Sequence, residues 1–362
     1  MPDETQPQPA QSQAQPVQDG RGIRERLRSL LRWESALLLI LIGVFIFGGA
    51  ISPEFFGSYN IFTLCTNIGD LAIMAIPMTL IILTGEIDLS IASILAVSAE
   101  TMGVLVMHHW SMGPIFVVVI AIGVACGLIN GLLVTRVGLP SLAVTIGTLT
   151  FYRGIANVVL GPNTVSSFPS PYNNLGVVGF LGISWLSWSV AIFLVLALIT
   201  GIILKMTPLG RSLYAIGLNQ EAAFHAGIRV KRIKLGLYVL SGVICALVGM
   251  LYAFELSSAG ENIGIGFELQ VVTIVLLGGV SIFGGRGTIL GVVLAAFIYG
   301  GLRSALLIGT SINENDYQVI SGALLILSVL VPNAAALTRR ARDLIRLRSY
   351  RRAGSLRADP GG

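Results

Sequence analysis

The chain has 362 residues, of which 54% are apolar and only 11% charged, with a formal net charge of +5. Its mean hydropathy of +0.83 reflects more apolar surface than a soluble domain of this length hides beneath a polar skin. These figures exclude a soluble enzyme, a disordered protein and a disulfide scaffold, and the 43 glycines suit closely packed membrane helices.

Residues 1–20 form a Pro/Gln-rich tail too polar to fold alone. A basic stretch with Arg21, Arg24, Arg26, Arg28 and Arg32 leads into an uncharged run from Ser35 to Ile51. That run is longer than the core of a cleaved signal and reads as a retained anchor. Uncharged or nearly uncharged stretches then predict ten spans, over 35–51, 61–83, 87–107, 114–136, 141–160, 186–205, 235–255, 267–282, 288–308 and 317–336. The fold class is an all-α polytopic bundle occupying 21–336, followed by a basic tail over 337–362. Spans 87–107, 141–160 and 267–282 are the ones open to being broken or re-entrant.

The basic residues orient the bundle. With a cytoplasmic N-terminus, every Lys and Arg except Arg153 and Arg303 falls on the inner side, while the outer loops carry only Glu54, Glu261, Glu314 and Asp316. Positive charge retained inside is the membrane rule, so both termini are expected in the cytoplasm. The +5 balance therefore points to the inner membrane face and not to nucleic acid.

Two connections are long. The outer one, 161–185, is uncharged and rich in Pro, Gly, Ser and Asn; the inner one, 206–234, carries helix signals. Thr207-Pro208 supplies a capping hydroxyl and a first-turn proline. Asn219 caps a second start, Glu221 favours its N-terminal dipole, and Gly227 ends it. Asn219–Gly227 thus reads as a two-turn helix beneath the membrane.

Reactive chemistry is absent from the sequence. His108, His109 and His225 make no metal spacing, no Gly-x-Ser-x-Gly elbow occurs, and none of Lys205, Lys231 and Lys234 follows a glycine as a P-loop requires. No catalytic residue and no metal set are predicted, and any driving force comes from an ion gradient or another subunit. Cys65, Cys126 and Cys245 lie in separate apolar runs as small hydrophobes. Gly123, Gly127 and Gly131, and Gly287, Gly291 and Ala295, recur every four residues and are expected to let helices approach closely.

Ionisable groups inside spans are expensive and mark function or pairing. They are Asp70, Glu86, Asp88, Glu100, Arg153, Glu268 and Arg303. Glu86 and Asp88 serve as a polar break or a site. Glu100 pairs with Arg153 or Arg303, or faces a solute path. Asn67, Asn130 and Thr145 bond solute hydroxyls or neighbouring helices. Asn67, Asp88, Glu100, Asn130, Thr145 and Arg153 are therefore the path candidates.

Several stretches resemble one family. Thr84-Gly85-Glu86-Ile87-Asp88-Leu89-Ser90 is similar to the Gly-Gly-Ile-Asp-Leu-Ser signature of ribose-type ABC importer permeases, the monosaccharide uptake class. Leu139-Pro140-Ser141, Ile146-Gly147-Thr148-Leu149, Ala215-Ile216-Gly217-Leu218-Asn219 and Glu221-Ala222-Ala223 follow in the family's order. So do Ala226-Gly227-Ile228 and the run from Val275 to Ser281 with Gly284-Gly285-Arg286-Gly287-Thr288. The resemblance covers about 35–335. Two departures are Glu86, where the family has Gly, and Ile91-Ala92-Ser93 in place of Val-Gly-Ser. Tyr152-Arg153-Gly154 looks closer to rhamnose and autoinducer-sugar members.

The resemblance implies a non-enzymatic permease of the bacterial inner membrane that moves a monosaccharide by alternating access. Its implied partners are a second permease copy or paralogue, two ATP-binding subunits that hold ATP and Mg, a periplasmic sugar-binding protein and membrane lipid. In that family the inner loop carries a coupling helix, which maps to Gly217, Asn219, Glu221, Ala222, Ala223, Gly227 and Ile228. A related branched-chain amino-acid or nucleoside permease, and an ion-coupled secondary transporter, remain as alternatives.

Overall fold

The structure is a computed structural model that describes residues 20–166 and 168–330, with side chains from 33 onward. The predicted tails over 1–20 and 337–362 lie outside the described residues, Gly20 excepted. In chain order the helices are α1 Gly20–Ile51, α2 Ser58–Leu83, α3 Ile91–Met107, α4 Met112–Leu132 and α5 Ser141–Leu160. They continue with α6 Trp188–Met206, α7 Pro208–Leu218, α8 Gln220–His225, α9 Val230–Glu255, α10 Phe267–Leu277 and α11 Ile289–Gly309. A last helical stretch, α12, spans 314–330.

Seven of these are long and apolar enough to cross a membrane, counting Trp33–Ile51 of α1 and the extension of α4 through a π-turn to Val137. α3 and α10 are apolar but shorter. Ladder bonds satisfy the backbone within each helix, which is why apolar segments of this length fold as helices where water is excluded. The predicted span 141–160 is one continuous helix, whereas 87–107 and 267–282 are shorter than the apolar runs. α3 starts only at Ile91, after a turn with Gly85 in the left-handed region at φ +80°. α10 stops at Leu277, and Gly279 turns the chain at φ +84°.

α2 is the centre of the bundle. From Ile68 to Leu83 every side chain is buried, against α6, α9, α10 and α11. α3 packs on α5 and on α9, the latter also a neighbour of α2. α5 and α6 instead expose Phe151, Val158, Val195 and Leu198, the apolar outer face expected towards lipid. α4 meets α9 along Gly123, Gly127 and Gly131, where a β-carbon would run into the backbone at Gly242 and Tyr238 or the Leu235 side chain. Absent glycine side chains let these backbones approach, as the spacing predicts.

Gly291 likewise faces the Gly278 carbonyl. Gly287 does not extend that stripe: it lies in the turn before α11 at φ +148°, with Val280 against it. A four-residue spacing marks a helical face only where the helix has already begun.

Beyond α9 the chain folds back into the bundle before α10. Gly264 presses on Leu95, and Arg153 Nη1 donates to the Ile263 carbonyl at 2.6 Å. Irregular backbone inside an apolar bundle is tolerated where protein surrounds it. The long 161–185 connection is pinned to the same segment. Val165 and Ala259 exchange backbone hydrogen bonds of 2.9 and 2.8 Å, and Tyr172 stacks on Phe254 with ring centroids 5.2 Å apart. α12 is held by Tyr317, whose hydroxyl donates to the Tyr299 carbonyl at 3.2 Å.

Candidate functional site

At one end of the bundle, three glycine-bearing segments from distant parts of the chain meet. The Gly285 amide donates to the Leu83 carbonyl at 2.9 Å. A β-carbon on Gly217 would collide with that same carbonyl and with the Gly285 nitrogen. Gly284 in turn touches the Gly85 and Gly217 backbones. Glycine is required here because main chain packs on main chain.

α7 and α8 are built on this stack. Thr207 caps α7, its Oγ1 accepting from the Gly210 amide at 3.4 Å, with Pro208 in the first turn. The Tyr214 hydroxyl donates to the Gly287 carbonyl at 2.8 Å, and burial raises this phenol above its ordinary value, so it stays a neutral donor. Asn219 Oδ1 accepts from the Ala222 amide at 2.9 Å and starts α8, while Gly227 follows it at φ +83°. Ala223 is buried with Ile216 and Val230, and Ile228 packs beside them. Glu221, Ala222, Phe224 and His225 stay exposed. α8 therefore presents a short, rigid, outward face.

Behind the stack lies a buried polar network. Asp88 Oδ1 accepts from the Ser90 amide at 3.1 Å and from Ser90 Oγ at 2.6 Å; its Oδ2 accepts from Ser241 Oγ at 3.1 Å. Asn130 Nδ2 donates to Ser90 Oγ at 2.7 Å, and the Tyr152 hydroxyl donates to Asn130 Oδ1 at 3.2 Å. Thr145 Oγ1 bonds the Ser141 carbonyl at 2.9 Å within α5. Buried polar groups of this kind cost free energy unless paired, and pairing fixes one arrangement. Asp88, Asn130 and Thr145 are thus gathered around the Thr84–Ser90 turn, tying α3, α4, α5 and α9.

The ion pairs expected for Glu100 are not formed. Arg303 instead makes a forked contact with Glu314, at 3.2 Å from Nε and 2.7 Å from Nη2. Arg153 spends its guanidinium on the Ile263 and Ala92 carbonyls. Both carboxyl oxygens of Glu100 are buried without a hydrogen-bond partner. Opposite charge alone did not select the pairs: Arg153 is held by main-chain carbonyls of the segment before α10 and of α3.

Toward the other end of the bundle, a cavity of about 880 Å³ opens between the first half of α2, α10, the far half of α11 and the start of α12. Asn67 lines it, together with Asn60, Gln270, Ser304 and Gln318, and with the rings of Tyr252, Phe267 and Tyr299. Ser304 Oγ donates to Asn60 Oδ1 at 2.9 Å, which orients that amide. The cavity's one guanidinium, Arg303, is neutralised by Glu314. Glu54 adds an exposed carboxylate at the rim, while the amides, hydroxyls and aromatic faces that make up most of the polar lining suit a hydroxyl-rich solute. Of the six path candidates only Asn67 reaches this space.

Sequence reasoning missed the rest of the cavity lining and one buried contact. Lys234 Nζ donates both to Glu86 Oε1 and to Gln220 Oε1. Gln270 was legible as a polar residue in an apolar run, whereas no local rule pairs Glu86 with a lysine 148 positions away.

Comparison with known proteins adds an independent result. The family model described as branched-chain amino acid transport system / permease component matches residues 60–329. The chain is 31% identical over 275 residues to the autoinducer 2 import system permease protein LsrC of Salmonella paratyphi B, covering 76% of this chain and 79% of that protein. It is 33% identical over 312 residues to the ribose import permease protein RbsC of Haemophilus influenzae, covering 84% and 94% respectively. No solved structure matches it.

Proposed function

Since the chain belongs to the branched-chain amino acid transport system / permease component family, we propose that it is the membrane-spanning subunit of an ATP-driven importer for a monosaccharide. The likeness to ribose and autoinducer 2 import permeases favours a sugar over an amino acid, and the amides, hydroxyls and aromatic rings lining the cavity agree. The observation that carries the reading is the glycine stack, which joins the end of α7, from which α8 continues, to the turn that leads into α3.

In this reading the chain crosses the inner membrane ten times with both termini in the cytoplasm. The positive-inside distribution puts α7 and α8 on the cytoplasmic side and the cavity on the periplasmic side. α8 docks through its exposed Glu221 and Ala222 and the flanking Asn219 and Gly227 on an ATP-binding subunit that holds ATP and Mg, while Ala223 and Ile228 hold it on the bundle. The chain itself performs no covalent chemistry. A second permease copy or a paralogue completes the passage, and a periplasmic sugar-binding protein delivers solute to the cavity. Nucleotide binding in the partner shifts α8, and the bundle changes from one packing to another, which transfers access across the membrane.

Reconstitution tests this. Proteoliposomes containing the chain with its cognate ATP-binding subunits and binding protein are expected to accumulate at least one of radiolabelled ribose, rhamnose, xylose and galactose only when ATP is present. Accumulation on a proton or sodium gradient by the chain alone would overturn the proposal in favour of a secondary transporter.

A further inference from the structure

We propose that Lys234 is a positioning residue that transmits displacement of α8 to the Thr84–Ser90 turn, through a Gln220–Lys234–Glu86 relay. The inference rests on α8 being the docking helix and goes beyond that role to name how its movement enters the bundle.

Lys234 lies in the second turn of α9 and is 5% exposed. Its ammonium has two partners on different elements: Glu86, in the turn between α2 and α3, and Gln220, the first residue of α8. A buried ammonium is stable only while its partners remain, since loss of one leaves a desolvated charge under-satisfied. The relay therefore resists separation of α8 from Glu86 more strongly than apolar contact does. The apolar attachment of α8 is small, comprising Ala223 with Ile216 and Val230.

The receiving end is equally constrained. Glu86 follows Gly85 at φ +80°, and the next residue is held to α5, the Ile87 amide donating to Ser141 Oγ at 3.3 Å. Two residues on, Asp88 begins the Ser90–Asn130–Tyr152 chain of hydrogen bonds into α4 and α5. Gln220 is exposed, so nothing in the core requires its side chain to point at Lys234. A displacement of α8 by a hydrogen-bond length must break the Gln220 contact or carry Glu86 with it. Lys234 meets both partners with one ammonium, so motion of Gln220 that keeps its contact draws the ammonium and, through the charged pair, Glu86.

Gln220→Leu cuts the relay at an exposed position and preserves the fold and the Lys234–Glu86 pair. Lys234→Met cuts it at the centre. The double variant Glu86→Lys with Lys234→Glu restores it, because the Gln220 amide donates as readily as it accepts. The measurement is hydrogen exchange on the chain assembled with its cognate ATP-binding subunits, nucleotide-free against ATP–vanadate. In the wild type the nucleotide changes exchange at both 219–227 and 84–90. Gln220→Leu and Lys234→Met keep the response at 219–227 and reduce that at 84–90 about tenfold, as expected for one lost hydrogen bond to a charge. The charge swap restores it, which a merely structural role for Lys234 does not require. A wild-type-like response at 84–90 in Gln220→Leu overturns the relay alone. Failure of the wild-type chain to bind the ATP-binding subunits overturns the docking role of α8, and the relay with it.

Discussion

The two ends of this bundle are built on opposite principles. At the α7/α8 end, glycines bring three backbones into direct contact, and behind them Asp88, Ser90, Asn130, Tyr152 and Ser241 satisfy one another with almost no space left over. Toward the other end, α2, α10 and α11 diverge around a cavity of about 880 Å³ whose polar groups point into open space. Packed backbones allow few arrangements, so motion at the closed end is transmitted as a whole. An open, amide-lined space tolerates side-chain change and governs what is accepted. In the proposed function the closed end carries force, and the open end carries selectivity.

Substitutions at matched positions can break this contrast. The largest effect is expected for Gly217→Leu, where a side chain must displace the Leu83 carbonyl and the Gly285 amide. Overpacking against backbone should cost about 3 kcal/mol or more, read as a lowered thermal midpoint in detergent together with loss of ATP-dependent uptake. A stable, active Gly217→Leu protein would mean that the closed end is more plastic than its packing indicates.

Asn130→Leu comes next. It leaves Ser90 Oγ without its Asn130 donor and removes one of the two acceptors near the Tyr152 hydroxyl, the Cys126 carbonyl at 3.1 Å remaining, an expected cost of about 1–2 kcal/mol. Chemical denaturation of the purified chain checks this value, and a near-neutral result would reduce the network to incidental contacts.

The smallest stability effect is expected in the cavity. Asn67 is exposed within it, so Asn67→Leu should change stability by no more than about 0.5 kcal/mol. Loss of one or two hydrogen bonds to solute should nonetheless raise the transport KM about tenfold, measured as concentration-dependent uptake. An unchanged KM would remove Asn67 from the path and sharpen the question of which cavity residue replaces it.

Much of this molecule was legible in the chain. The apolar runs, the sidedness of Lys and Arg, the caps at Thr207 and Asn219 and the terminator Gly227 are local signals, decided by hydration of the backbone and by hydrogen bonds a few residues long. The family motifs of 84–90, 215–219 and 284–288 were equally visible as words. What they do together was not, because their meeting depends on how α2, α7 and the chain after α10 return to one end of the bundle. Asn67 and Asn130 make the same point: both are asparagines in apolar runs, yet one lines a cavity and the other is fully enclosed. Only the packing of neighbouring helices separates solvent-facing from protein-facing sides of a span, since hydropathy is the same on either. The same reason hid the Gln220–Lys234–Glu86 contact and left the choice between pairing and a path role for Glu100 open. Sequence set which segments leave water and where they start and stop; the distances that link those segments were settled by the fold, because electrostatic and steric contact act through space and not along the chain.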